Sequence, residues 1–144
     1  MKRLTGNRDT DGQPVGVAGD PTEEVMALAT LDVVVLDCPD PRALAEFYAG
    51  VLGGTITEES DWVDLDLPGG RKLAFQASPG YVPPRWPSSD GSQQLHLDLN
   101  VEDLDVAEKG VLELGATPLD TEDRSRSFRV YADPAGHPFC LCAG

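Results

Sequence analysis

The sequence predicts an α+β fold made of two tandem βαβββ modules, whose curved mixed sheets form a shared cleft. Three observations carry that prediction. The order strand, helix, three strands occurs twice along the chain. Leu52-Gly53-Gly54-Thr55 matches Leu114-Gly115-Ala116-Thr117 at the same place in each copy. A turn-joined strand pair then closes each copy, through Pro68-Gly69-Gly70 in the first and Asp133-Pro134-Ala135-Gly136 in the second. A repeated supersecondary unit does not bury its apolar face alone, so the two sheets are expected to meet over a common core or cleft.

The elements follow in order. Residues 1–29 are rich in Gly, Pro, Asp and Thr without a helical or strand period, and read as a flexible tail, with Met26 as an alternative start of translation. Module one spans 31–79. LDVVVLD, at 31–37, is a β-branched strand, and Asp40-Pro41 supplies an N-cap and a first-turn proline. Leu44, Phe47, Tyr48, Val51 and Leu52 recur at helical steps, and Gly53-Gly54 ends the helix. TITEE, WVDLDL and KLAFQA are the three strands that follow. Residues 80–93 form a proline-rich connector. Module two, 94–144, repeats the order with LHLDLNV, a helix capped by Asp103 and stopped at Gly115, then TPLD, FRVYAD and PFCLC.

Composition bounds the function. The chain has 144 residues, 40% hydrophobic and 25% charged, enough for one domain or two small modules sharing a core. With 25 acidic against 11 basic side chains the net charge is -14, so a phosphate backbone is repelled and nucleic acid is not an expected partner. The charge either attracts a cationic ligand or only keeps the protein soluble. Cys38, Cys140 and Cys142 form no CxxC pair, and no apolar stretch precedes residue 31, so reduced thiols, a cytoplasmic location and no membrane contact are expected.

LDVVVLDCPDPRALAEFYAGVLGG, QLHLDLNVEDLD and FRVYADPAGHPFCL together resemble the vicinal-oxygen-chelate superfamily, which holds glyoxalase I, bleomycin-resistance proteins and extradiol dioxygenases. The resemblance covers residues 31–142. It implies a small-molecule ligand in the cleft and a homodimer that pairs modules across subunits. It also implies a divalent metal such as Zn, Ni, Fe or Mn, held by one ligand from the first and last strands of each module. The matching positions are Val33, Gln76, His96 and Cys140. Val33 has no donor atom and the glutamates common in the family are missing. His96, Gln76 and Cys140 therefore form an incomplete metal site, and a binder without cofactor is expected, the alternative being a metal-dependent lyase, isomerase or dioxygenase. A vestigial cleft in a protein that only dimerises is a third reading.

Strand alternation gives a separate view of the cleft. Leu95, Leu97, Leu99 and Val101 share one face, leaving His96, Asp98 and Asn100 on the other, directed at the cleft or at solvent. The same rule puts Trp62 with Asp64, and Arg129 with Tyr131 and Asp133, on the concave side. Trp62 and Tyr131 then form aromatic walls, and Arg129 either holds an anionic group of the ligand or pairs with Asp64. Trp86, with Tyr81 in the connector, is either a lid over the cleft or part of a strap across the outer sheet. His137 follows a glycine in the last hairpin and reads as a turn residue. Cys140 and Cys142 share a face and read as buried filler.

Overall fold

The computed structural model describes residues 22–86 and 94–144. Residues 1–21 of the expected tail and 87–93 of the expected connector lie outside the described residues. The chain divides into two units, Met1–Leu31 and Asp32–Gly144. In the first, residues 22–31 hold no helix or strand. The second carries the two modules.

Module one contains β1 (Val34–Cys38), α1 (Pro41–Leu52), β2 (Thr55–Glu59), β3 (Trp62–Asp66) and β4 (Lys72–Ala77). Module two contains β5 (Leu97–Val101), α2 (Leu104–Leu114), β6 (Thr117–Asp120), β7 (Phe128–Ala132) and β8 (Pro138–Ala143). The sheet orders are β1-β4-β3-β2 and β5-β8-β7-β6. In each sheet the first strand runs parallel to the last while the other pairs are antiparallel, so the wiring of the two copies is the same.

Local chemistry explains the element ends. The Asp40 carboxylate accepts from the Ala43 N–H ahead of Pro41, and the Asp103 carboxylate accepts from the N–H groups of Asp105 and Val106. α2 stops in a Schellman turn, where the left-handed Gly115 donates to Leu112 O and Ala116 N–H reaches Val111 O. β5 starts two residues later than its alternation suggests. His96 would stand opposite Pro138, which has no N–H to offer a ladder.

The core lies between the sheets and belongs to both modules. Leu44, Ala45, Phe47 and Tyr48 of α1 are buried, whereas α2 buries Val111 alone among its described residues. Tyr48 stacks on Phe75 with ring centroids 5.8 Å apart, and both Phe47 and Tyr48 meet Phe139 of module two, on which Tyr131 stacks at 5.7 Å. α1 is thus the central helix and α2 a flanking one.

Candidate functional site

A cavity of about 230 Å³ opens between the first strands of the two modules. Val35 and Asp37 of β1 line one side; Leu95, His96 and Leu97 line the other; Tyr81, Pro84, His137 and Pro138 complete it with Tyr48. Leu36 and Cys38 turn into the core, so Val35 and Asp37 face outward on the open side of β1. This is the cleft that the repeat implied, with walls that are mostly apolar.

The connector reaches the cavity through Tyr81 rather than Trp86. The Tyr81 hydroxyl donates to Ala135 O at 2.8 Å and lies 3.2 Å from His137 Nε2, and Pro83 sits against Gly136. A Cβ at Gly136, whose φ is +91°, would meet Pro83 Cβ at 2.7 Å, so glycine there serves both the turn and the close approach. Trp86 is half-buried in a turn and is not among the residues lining the cavity.

His96, Asp98 and Cys140 form a cluster beside this cavity. Their donor atoms all lie within 4.8 Å of one another, with His96 Nε2 3.2 Å from Asp98 Oδ1. Register explains it: Asp98 stands opposite Cys140 in the parallel β5–β8 pair, and His96 precedes Asp98 by two residues on the same face. Burial, reinforced by the Asp98 carboxylate, pushes the Cys140 thiol up to about 12, and Cys142 on the same face is raised for the same reasons. One imidazole, one carboxylate and one thiol suit an open three-ligand site for Zn or another borderline divalent ion, provided the metal displaces the thiol proton. Asn100 continues the row opposite Cys142 and is exposed.

The other expected lining residues fall into two groups. Gln76 stands between Asp37 and Trp62 on the open face of module one, and Asp98 is a donor beside His96 and Cys140 that the resemblance did not include. Trp62 Nε1 donates to Asp64 Oδ1 at 2.8 Å, and Lys72 Nζ lies 3.9 Å from Asp64 Oδ2. Arg129 and Tyr131 are on the opposite face from the one that alternation assigned. Arg129 Nη2 pairs with Asp105 at 2.9 Å and Nη1 with Glu108 at 3.4 Å, while the Tyr131 hydroxyl donates to Glu108 at 2.9 Å. Both therefore lie under α2, and Asp64 takes Lys72 as its cation in place of Arg129. β7 is buried on both faces from Arg129 to Ala132, so its polar face meets a helix and not open space; Tyr131 buries its ring on Phe139 and hands only the hydroxyl to the helix.

The sequence reading missed a buried polar chain at the cavity wall. Asp133 is 3% exposed. Its carboxylate accepts from the Tyr48 hydroxyl at 2.7 Å, from the N–H groups of Ala135 and His137 at 2.9 and 3.0 Å, and from His137 Nδ1 at 2.9 Å. His137 is the turn residue expected, but its ring also faces the cavity. The signal was present in Asp133-Pro134-Ala135-Gly136-His137, since a tight turn brings residues four apart together.

The sequence from residue 33 to 142 matches the model of the glyoxalase-like domain family. No curated protein matches the sequence significantly. Among solved structures, a glyoxalase/bleomycin resistance protein/dioxygenase family enzyme from Burkholderia phytofirmans PsJN superposes with a TM-score of 0.62 at 18% identity, covering 80% of this chain and 98% of that one. The fosfomycin resistance protein FosX from Mesorhizobium loti gives 0.61 at 16% identity, covering 83% and 94%. The oxidase ChaP-H2 gives 0.57 at 20% identity, covering 82% and 95%. With the family model spanning most of the chain and the same two-module fold in these neighbours, the protein belongs to the glyoxalase-like domain family of the vicinal-oxygen-chelate superfamily.

Proposed function

We propose that the protein binds a small aromatic cation in the cavity between β1 and β5, and that binding needs no metal. The observation that carries this reading is the cavity itself, with Val35, Leu95 and Pro84 as apolar wall and the Asp37 carboxylate at its rim. A net charge of -14 repels anions and draws cations toward an acidic opening. At about 230 Å³ the space suits a ligand smaller than the occupants of ordinary binding pockets, which run from roughly 300 Å³ upward. The fold alone does not choose among functions, since its neighbours include proteins named for antibiotic resistance and for oxidation.

An isosteric pair of probes tests the reading. Phenethylammonium is expected to bind in calorimetry at least tenfold more tightly than phenylacetate, and Asp37→Asn to remove most of that preference. Equal affinities, or binding that survives a bulky Val35→Trp block, would refute it.

A second reading rests on the His96, Asp98 and Cys140 cluster, which would hold a divalent metal for lyase, isomerase or dioxygenase chemistry. There His96 and Asp98 supply nitrogen and oxygen donors, and a bound metal supplies Lewis acidity beside the cavity. Elemental analysis of the isolated protein, followed by thermal shifts with Zn, Ni, Fe and Mn, decides it. Stoichiometric metal that is lost in His96→Ala puts this reading first.

A further inference from the structure

The hydrogen bonds around His137 constrain its protons. The Asp133 carboxylate accepts and does not donate, so His137 Nδ1, at 2.9 Å from it, carries a proton. Nε2 is then the variable nitrogen, and it faces the Tyr81 hydroxyl at 3.2 Å on the cavity wall. With neutral His137, the Tyr81 hydroxyl turns its hydrogen to Nε2. With imidazolium, Nε2–H donates to Tyr81 Oη, and the Tyr81 hydrogen turns to Ala135 O at 2.8 Å. Both states leave the two ring nitrogens of His137 hydrogen-bonded and differ by the rotation of one hydroxyl. A base that gains and loses a proton with so little rearrangement is what general acid–base work requires.

The surroundings favour the same use. The His137 side chain is 17% exposed and that of Asp133 fully buried, so the carboxylate fixes the ring, as an aspartate does in other Asp–His pairs, and leaves one nitrogen for the cavity. Asp133 is itself held by Tyr48 from α1, and among the described residues the remaining titratable groups lining the cavity are Asp37 on β1 and His96 before β5. The pair stands apart from the His96, Asp98 and Cys140 cluster, sharing no residue with it.

We infer that His137, oriented by Asp133 and gated by Tyr81, is a metal-independent general base for abstracting a proton from a small, mostly planar carbon or heteroatom acid held in the cavity between β1 and β5. This rests on that cavity being a ligand site. In the abstraction, the Nε2 lone pair takes the proton, the substrate keeps the electron pair of the broken bond, and the imidazolium returns the proton to product or water. The Tyr81 hydroxyl first turns its hydrogen from Nε2 to Ala135 O, which frees the lone pair for that proton. Asp133 is a positioning residue, since it acts only through the ring.

A neutral probe with no metal requirement tests it. 5-Nitrobenzisoxazole loses its C3 proton to a base while its N–O bond breaks, giving a coloured cyanophenolate, and 5-nitroindazole is an unreactive analogue of the same shape. The wild-type protein, with chelator present, is expected to open the ring about a hundredfold faster than equimolar imidazole. His137→Asn keeps an N–H for Asp133 and so holds the hairpin, and is expected to lose the rate while still binding nitroindazole measurably. Binding of nitroindazole without turnover overturns the base and spares the cavity, whereas failure to bind removes both. A rate lost in His96→Ala but kept in His137→Asn also overturns the assignment. If His137→Asn does not fold, nitrogen-15 spectra of the wild-type ring decide: a neutral His137 protonated on Nε2 rather than Nδ1 refutes the proposal.

Discussion

Asp133 accepts hydrogen bonds from four donors, and it does so with almost no access to water. Two backbone N–H groups, the Tyr48 hydroxyl and the His137 ring all converge on it. Asp133→Ala strands these donors in the core and is expected to cost about 3 kcal/mol or more in urea unfolding. Tyr48→Phe, which removes one donor and leaves the carboxylate its other partners, is expected to cost about 1 kcal/mol. On the far side of module two, Glu108 and Asp105 both face Arg129, but the side chain of Glu108 is 16% exposed and that of Asp105 is 83% exposed. Glu108→Ala is therefore expected to destabilise by several times the effect of Asp105→Ala, which should stay under about 1 kcal/mol. Individual residues were the least legible scale of this sequence. Alternation placed His96, Asp98 and Asn100 on one face because their neighbours are uniformly leucine or valine. It reversed Arg129 and Tyr131, whose long side chains bury a stem and pair only at the tip.

Elements were read more accurately, since each is bounded by a residue with a mechanical reason to be there. Asp40, Asp103 and Gly115 cap or end helices through identifiable bonds, and the three strands that follow α1 begin and end within a residue of their expected places, whereas β1 starts at Val34, three residues after the expected Leu31. What no pattern revealed is that α1 and α2, similar in spacing, differ so much in burial. Rank within the core depends on the packing of the modules, which periodicity does not encode. The same asymmetry yields a stabilising change. Gly110 lies inside α2, and a Cβ built there meets nothing within 4 Å. Gly110→Ala is expected to raise stability by about 0.5–1 kcal/mol, visible as a higher midpoint in urea. Gly115→Ala, just past the end of the same helix, is expected to lower it by about 1 kcal/mol, because φ there is +114°.

For the whole molecule, stability depends on protons held above neutral pH. Burial raises Cys38 from 9.0 to about 11, Cys140 from 9.0 to about 12, and Tyr81 and Tyr131 from 10.0 to about 12. The folded state binds these protons more tightly than the unfolded chain. Their contribution is complete below about pH 9 and fades as pH climbs toward 12. Thermal melts are expected to hold level from pH 7 to about 9 and then fall steadily, with Tyr131→Phe flattening part of the fall. Added salt is expected to raise the melting temperature at neutral pH, since screening relieves the repulsion among 25 acidic groups. Among the described residues no helix is long and apolar enough to cross a membrane.

The shared core also sets an order of events during synthesis. β1 is parallel to β4 and cannot find its partner until residue 77 has left the ribosome, after which the first sheet can close. Its central helix must still wait, because the Tyr48 hydroxyl is matched by Asp133, 85 residues downstream. A nascent chain stalled after module one would hold Phe47 and Tyr48 against no second sheet, a natural station for a chaperone. The duplication that makes the fold easy to recognise on paper thus leaves its first half unfinished in time.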